Sequence, residues 1–189
     1  PGGTGDGRQD GDPDGHGTAM AGLIAAHGRG NSGVLGIAPK AKILPVRDSK
    51  GSRGGDSADM AAAIRWAISR QADVINISAS VAPTSDLREA VEAALDANIV
   101  VVAAPGSRTE SDLVQYPAAI DGVVAVGSVN LGGNLADTSV AGKEIVITAP
   151  GVDIQSTGRN GQYRRASGTS SATAIVSGAV ALIRSRYPD

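Results

Sequence analysis

The sequence predicts an α/β fold built on a mainly parallel sheet. Three observations point to it: strand-like and helix-like segments alternate, one strand segment is apolar on both faces, and the residues available for the core are small. Strands that alternate with helices form β-α-β units, which place the strands parallel in one sheet. Phenylalanine is absent and aromatic residues make up only 2% of the chain, so Ala, Val, Ile and Leu must fill the core. Such side chains suit helices packed closely on a flat parallel sheet.

Residues 1–15 are rich in glycine and aspartate and lack apolar periodicity, which predicts a loop. Beyond them, apolar residues three or four apart predict helices, and short apolar runs predict strands. The run at 98–104 is nearly all apolar, which indicates a strand buried on both faces. In chain order the predicted elements are a helix at 17–26, a strand at 43–47, a helix at 57–70, a strand at 72–78, a helix at 85–97, strands at 98–104, 123–128 and 144–148, and a helix at 170–186.

The composition argues against several classes of function. The formal net charge of the 189 residues is −2, which gives no indication of a nucleic-acid partner. No cysteine is present, so disulfides, thiolate zinc sites and a cysteine nucleophile are excluded. No apolar run approaches the roughly 20 residues of a membrane span. Because no repeat or linker divides the chain, a single domain over 1–189 is expected.

One candidate catalytic segment contains His16, one of two histidines in the chain. Gly15 and Gly17 flank it, so a substrate can approach the ring closely. The N-terminus of the predicted helix disfavours an added positive charge, which keeps the imidazole neutral as a general base requires. The alternative is a solvated loop histidine beside an aspartate.

The second segment, Ser167-Gly168-Thr169-Ser170-Ser171-Ala172, opens the last predicted helix. A serine at a strand-to-helix turn after a glycine projects its hydroxyl from the end of the sheet. Its own backbone N–H and the helix dipole then face the place where an oxyanion would form. The alternative is a plain helix N-cap, for which serine and threonine are favoured.

Together the two segments are far more specific than either one alone. The stretch D-G-H-G-T-x-x-A-G, and about 150 residues later G-T-S-x-A-x-x-x-V-x-G-A-x-A-L, resemble the histidine and serine motifs of the subtilisin family of serine peptidases, peptidase family S8. The strand-helix order between them is similar to that family's, and the run Val74-Ile75-Asn76-Ile77-Ser78 resembles its substrate-lining strand. The resemblance covers residues 14–187 and implies a three-layer α/β/α sandwich with a mainly parallel central sheet.

Two further segments, at 33–39 and 115–119, resemble those of actinobacterial mycosins, the peptidases associated with type VII secretion. The resemblance implies a serine endopeptidase that is secreted or associated with the cell envelope. Its expected partners are a peptide or protein substrate and either a propeptide or a component of the secretion system. No nucleic acid and no membrane segment within these residues is expected.

In that family, peptide bonds are cleaved by acyl transfer through a Ser–His–Asp triad. If the roles of the family's serine and histidine are assigned to the matching motif positions here, Ser170 is the nucleophile and His16 is the general base. The aspartate belongs in an Asp-Thr-Gly or Asp-Ser-Gly segment that ends the first strand, some tens of residues before the histidine. We therefore expect a domain truncated at both ends, with the catalytic aspartate and its strand lying before Pro1.

The resemblance also implies an oxyanion hole made by Ser170 and Ser107. Ser107 stands where the family carries asparagine, so it is a shorter donor; Arg108 reaching in, or an ordinary polar loop, are the alternatives. Ser80 stands where the family has glycine and Ala174 where it has proline. The expected substrate-binding residues are Ser78, Ala79, Ser80, Ala104, Pro105 and Gly106.

No cofactor is expected. A structural calcium ion in the Asp/Gly-rich segment at 1–15 is an alternative to a solvated loop. The alternative function is a weak or inactive pseudopeptidase that serves as a peptide-binding or structural module. The missing aspartate and the serine at 107 motivate it, whereas the presence of both His16 and Ser170 favours an enzyme.

Overall fold

A four-stranded parallel sheet lies at the centre of the structure, a computed structural model that describes residues 12–29, 32–47 and 55–188. The helices and strands of the described residues follow in chain order: α1 (His16–Ala25), β1 (His27–Arg29), β2 (Ser32–Leu35), α2 (Ser57–Ser69), β3 (Val74–Ile77), α3 (Ser85–Asp96), β4 (Val100–Ala103), β5 (Val124–Val129), β6 (Ile145–Pro150), β7 (Ile154–Thr157), a 3₁₀ turn (Arg159–Gly161), β8 (Tyr163–Ala166) and α4 (Thr169–Arg186).

The central sheet has the strand order β3-β4-β5-β6, and every neighbouring pair is parallel. Because the chain crosses over between parallel strands, helices cover the faces of the sheet. The carboxyl ends of β3 and β4 lie side by side, with Ile77 paired to Ala103. Ligands of open parallel sheets bind at such ends.

The two faces of the sheet are packed by different helices. On one face, α2 and α3 bury Ile64 and Leu87 against Val101 and neighbouring residues of the strands. On the other face, α4 buries Val176 against Val102, which points the opposite way along the same strand. α1 packs against α4 through a separate small cluster. The predicted α/β/α sandwich with a mainly parallel sheet is therefore confirmed.

The strand predicted at 43–47 is wrong. The segment has no regular secondary structure and pairs with no strand in the part of the chain that the structure describes. Ile43, Leu44 and Val46 are each 42% exposed. An extended run becomes a strand only when a neighbour satisfies its backbone groups, which a short apolar run cannot guarantee. Most of the loop predicted at 1–15 lies outside the described residues.

Two antiparallel hairpins were not predicted from the sequence. β1 pairs with β2, and β7 pairs with β8, each outside the central sheet. The second hairpin turns at Asn160 and Gly161, both with positive φ, and an Asn-Gly pair is a strong turn signal. Its strands are polar and largely exposed, so they lack the apolar runs on which the strand predictions relied.

None of the helices that the structure describes combines the length and the apolar character that a membrane span needs.

Candidate active site

His16 is the first residue of α1, and the backbone before it is held in a conformation that requires glycine. Gly15 has φ 75° and ψ 11°, the left-handed region that side chains disfavour. The carboxylate of Asp14 accepts a hydrogen bond from the His16 backbone N–H at 2.9 Å. The carboxylate of Asp12 accepts one from the Thr18 N–H at 2.7 Å. The two aspartates thus satisfy N–H groups at the helix start that have no intrahelical acceptor.

Asp12 is a charged group with a defined electrostatic environment. Partial burial raises the pKa of its carboxyl group. The backbone N–H and hydroxyl of Thr18, with the backbone N–H groups of Gly17 and Gly15, outweigh that effect and hold the pKa below its ordinary value of 3.8. The carboxylate is therefore an ionised cap at neutral pH, not a proton donor.

Ser170 is the second residue of α4, and it too follows a glycine with unusual backbone geometry. Gly168 has φ 127° and ψ 172°, a conformation essentially restricted to glycine. The hydroxyl of Thr169 donates to the carbonyl of Gly106 at 2.9 Å, which ties the helix start to the end of β4. The backbone N–H of Ser170 lies in the first turn of α4, where N–H groups lack intrahelical acceptors.

Ser170 and Ser78 form a reciprocal pair of hydrogen bonds. The Ser170 hydroxyl donates to the Ser78 carbonyl at 3.2 Å, and the Ser78 hydroxyl donates to the Ser170 carbonyl at 3.2 Å. Asn76 donates to the Ser78 hydroxyl at 3.1 Å and accepts from Ser177 at 2.9 Å. A chain of polar side chains thus connects β3 to the start and middle of α4. The sequence marks Asn76 only as part of the run that resembles the substrate-lining strand, so its supporting role was not predicted.

His16 and Ser170 line one cavity of about 210 Å³. The fold thus brings together two residues that lie far apart in the sequence. No hydrogen bond joins their side chains, although both are described; the Ser170 hydroxyl is bonded to Ser78 instead. Among the described residues, no carboxylate lies within 4 Å of the His16 imidazole. The triad aspartate expected before Pro1 stays a prediction.

The hairpin β7–β8 fastens α1 through two hydroxyl groups. Ser156 donates to the Ala19 carbonyl at 2.6 Å, and Thr157 donates to the Thr18 carbonyl at 2.8 Å. Gly22 lies against the same hairpin, where an added Cβ would collide with the Thr157 hydroxyl. Gly22, the last glycine of the D-G-H-G-T-x-x-A-G motif, therefore permits close contact between α1 and the hairpin.

Two arginines of the same hairpin region fasten the loop before His16. Arg159 donates to the Pro13 carbonyl at 2.6 Å, and Arg164 donates to the Asp14 carbonyl at 2.8 Å. These contacts could not be read from sequence, because they depend on where the hairpin packs. The hairpin leads directly into the segment that carries Ser170, so one piece of chain contacts the residues around His16 and continues into the start of α4.

The predicted substrate-binding segments lie together at the ends of β3 and β4. The Ala104 N–H donates to the Ile77 carbonyl at 2.9 Å, and the Gly106 carbonyl accepts from Thr169. Ser80 lines a second cavity, of about 440 Å³, together with residues 81–83 and 114–116. The side chain of Gln115 lies against Gly106, where an added Cβ would be 2.7 Å from its amide oxygen. Ser78, Ala79, Ser80, Ala104, Pro105 and Gly106 thus surround one end of the sheet next to Ser170.

Ser107, the predicted oxyanion donor, has a different partner in the structure. Its hydroxyl lies 2.9 Å from the hydroxyl of Thr109 and accepts from the Thr109 N–H at 3.3 Å. The Arg108 side chain faces Asp112, with 3.7 Å between the charged groups. The role of Ser107 therefore stays a prediction.

In the described ranges, no group of three or more His, Asp or Glu side chains is arranged to hold a metal ion.

Comparison with known proteins places this geometry in a family. The family model of the subtilase family (peptidase S8) matches residues 2–189. The thermostable alkaline protease of Halalkalibacterium halodurans is 43% identical over 178 residues, covering 94% of this chain and 49% of the relative. Subtilisin E of Bacillus subtilis is 44% identical over 180 residues, covering 92% of this chain and 46% of the relative. The chain spans about half the length of these curated relatives.

Solved structures agree. A mutant of the protease domain of PatA superposes with a TM-score of 0.81 at 34% identity, covering 93% of this chain and 67% of that one. A cold-adapted subtilisin-like serine proteinase superposes with a TM-score of 0.82 at 28% identity, covering 92% and 62% of the two chains. The family match, the relatives and the shared fold extend over nearly all of the sequence. The chain belongs to the subtilase family of serine endopeptidases.

Proposed function

We propose that this chain supplies the catalytic residues of an active serine endopeptidase, with Ser170 as nucleophile and His16 as general base. The observation that carries the proposal is the cavity that contains both side chains, each at the start of a helix that follows a glycine of positive φ. A fold retained only for binding has no need to bring a histidine and a serine to one cavity.

The proposed reaction begins when the Ser170 hydroxyl exchanges its bond to the Ser78 carbonyl for one to His16. Ser170 Oγ then attacks the peptide carbonyl carbon while the imidazole takes the hydroxyl proton. The carbonyl oxygen becomes an oxyanion near the Ser170 N–H, which has no intrahelical acceptor. The C–N bond breaks as His16 returns the proton to the leaving amine, and water hydrolyses the acyl-enzyme by the same steps in reverse order.

The substrate chain is proposed to lie along Ser78, Ala79 and Ser80 as an added strand, with Ala104, Pro105 and Gly106 on the other side. The 440 Å³ cavity beside Ser80 is large enough to receive a substrate side chain. Ser107 would act as the second oxyanion donor only after its hydroxyl turns away from Thr109. The proposed chemistry needs no cofactor.

Two observations favour the pseudopeptidase alternative. The Ser170 hydroxyl is bonded to a backbone carbonyl, and no carboxylate in the described residues orients His16. Loss of the orienting aspartate costs on the order of 10⁴ in turnover through the wrong histidine tautomer. An active enzyme therefore requires a carboxylate from outside the described residues.

A fluorophosphonate probe tests the two functions in the full-length protein. We expect covalent labelling of the wild type, and loss of labelling in Ser170→Ala and His16→Ala. Ser185→Ala, an exposed serine at the end of α4, is the matched control and should label normally. A folded wild-type protein that does not label would support the pseudopeptidase and contradict our proposal.

Localisation and partners are proposed by likeness. A relative that is 39% identical over 180 residues is the minor extracellular protease Epr of Bacillus subtilis. The segment at 33–39, which resembles that of mycosins, packs between α1 and α4, with Ile37 against Gly178. We propose a secreted or envelope-associated protein that works with a propeptide or a type VII secretion component. Recovery of the full-length protein in the cytoplasm would contradict the proposed location. Unchanged type VII secretion after deletion of its gene would contradict the proposed partnership with a secretion component.

A further inference from the structure

The cavity that contains His16 and Ser170 has a cationic wall. Arg164 and Arg165, on β8, both line it, and none of its lining residues is an aspartate or glutamate. This differs from the second cavity, near Ser80, whose lining residues carry no charge. A small cavity with two guanidinium groups and no carboxylate suits an anionic group.

Both arginines have donors left for a ligand. Arg164 gives one N–H to the Asp14 carbonyl, and no carboxylate of the described residues lies within 4 Å of it. A guanidinium has five N–H donors, so most remain available. Arg165 pairs with Asp153 at 2.6 Å, but both side chains are 63% exposed. An ion pair so exposed to water is weak and can exchange partners.

The chemistry of peptide cleavage tells which part of the substrate faces this cavity. His16 must deliver its proton to the leaving amine, so the residue that follows the scissile bond faces His16. The proposed acyl-side strand runs along Ser78, Ala79 and Ser80, none of which lines the cavity. The cavity therefore lies on the leaving-group side of Ser170.

We propose that this cavity is a subsite for an acidic side chain directly after the scissile bond, with Arg164 and Arg165 as its specificity determinants. The substrate class is a peptide or protein with aspartate or glutamate at that position. The inference rests on the proposed endopeptidase activity and adds a preference to it.

The test uses the full-length protein and internally quenched peptides that differ only in the residue after the scissile bond. Asparagine is the matched control for aspartate, because the two are nearly isosteric and differ in charge. We expect kcat/KM to be about five- to tenfold higher for aspartate than for asparagine at low salt, the size expected of partly exposed ion pairs. Lysine should be the poorest of the three, and the preference should shrink as salt is added.

Three variants identify the source of the preference. Arg165→Gln should lower the Asp/Asn ratio toward one, whereas Asp153→Asn, which frees Arg165 from its competing carboxylate, should raise it. Arg159→Gln is the control, because this side chain also holds a backbone carbonyl near His16 but does not line the cavity. An Asp/Asn ratio that falls as much in Arg159→Gln as in Arg165→Gln would overturn the assignment.

Two more measurements separate this inference from the proposed function. A peptidyl p-nitroanilide has no amino acid after the scissile bond, so its hydrolysis reports the endopeptidase alone. If the protein hydrolyses the anilide but cleaves the aspartate and asparagine peptides with equal kcat/KM, the acidic subsite is overturned and the endopeptidase proposal stands. Binding of product-like peptides that begin with aspartate or asparagine to Ser170→Ala tests the subsite without turnover. Tighter binding of the aspartate peptide supports the subsite, and equal binding contradicts it.

Discussion

The two halves of the candidate site are anchored in different ways. Ser170 stands between Thr169 and Ser171, both buried; Ser170 itself is hydrogen-bonded to Ser78 at the end of β3, and Thr169 is hydrogen-bonded to Gly106 after β4. His16 is exposed, and the helix it opens packs against α4 and is hydrogen-bonded to the hairpin β7–β8. The position of the proposed nucleophile thus depends on the core of the sheet, whereas the position of the proposed base depends in addition on a peripheral hairpin.

The difference implies two kinds of damage. A change at the start of α4 disturbs the packed layer and should reduce stability and activity together. A change in the hairpin should move His16 relative to Ser170 while most of the core stays intact, so the loss should fall mainly on kcat.

The largest effect is expected when either reacting side chain is removed. Ser170→Ala or His16→Ala should each lower kcat by on the order of 10⁶, the size of effect expected when one member of a catalytic unit is removed. The double variant should be no worse than either single one, because the two residues act as a unit despite their different anchoring. Steady-state hydrolysis of an anilide substrate measures this. A double variant with a further loss of several orders of magnitude would mean that the residues act independently.

The next effect concerns Gly168. Its φ of 127° and ψ of 172° suit only glycine, yet an added Cβ would meet nothing within 4 Å. Gly168→Ala therefore introduces backbone strain without a clash and should lower the free energy of unfolding by about 3 kcal/mol. Gly133→Ala, at φ 78° in an open loop, should cost about 1 kcal/mol. Urea unfolding measures the loss of unfolding free energy in both variants. Equal losses would refute a special backbone requirement at Gly168, the residue before α4.

A smaller effect is expected from the hydroxyl groups of the hairpin. Ser156→Ala together with Thr157→Val removes both bonds to the carbonyls of α1 and should destabilise by about 1 kcal/mol for each. Because His16 loses its support, kcat should fall about tenfold with KM nearly unchanged. Ser185→Ala is the control, since its hydroxyl also donates to a helix carbonyl, that of Leu182, but far from the site. A change confined to KM would contradict the positioning role.

The smallest effect is the pH dependence supplied by Asp12. Because its pKa is lowered in the folded protein from the ordinary value of 3.8, its contribution is present above that ordinary value and is lost as pH falls through the folded value. Asp12→Asn should therefore cost up to about 1 kcal/mol at neutral pH and nothing once the pH is below both pKa values. Unfolding curves between neutral and acidic pH measure this, with Asp137→Asn, an exposed aspartate, as control. A stability difference that is constant with pH would disprove the assignment.

The central sheet and its covering helices were predictable because burial on a parallel sheet leaves runs of apolar residues. The run at 98–104 is the clearest case, since Val101, Val102 and Ala103 are completely buried. The run at 43–47 has the same appearance, but its pairing depends on a neighbouring strand that local sequence does not specify.

The candidate catalytic residues were predictable for a different reason. His16 and Ser170 lie in motifs whose glycines are required by the backbone geometry at Gly15 and Gly168. The supporting contacts were not predictable. Arg159 and Arg164 bind backbone carbonyls, which every residue has, so nothing in the sequence marks their partners before the hairpin is placed.

The hydrogen bonds between the hairpin and the histidine segment join residues that are far apart along the chain. The pair Ser156–Ala19 is separated by 137 positions and the pair Arg164–Asp14 by 150. Closing so long a loop has a high entropic cost, so contacts of this kind form after local units such as β3-α3-β4. Pulsed hydrogen exchange should show β4 protected before β7, and the reverse order would refute this sequence of events. The proposed hydrolytic competence would then be gained only after these late contacts form, and incompletely folded copies of the protein would be unable to degrade one another.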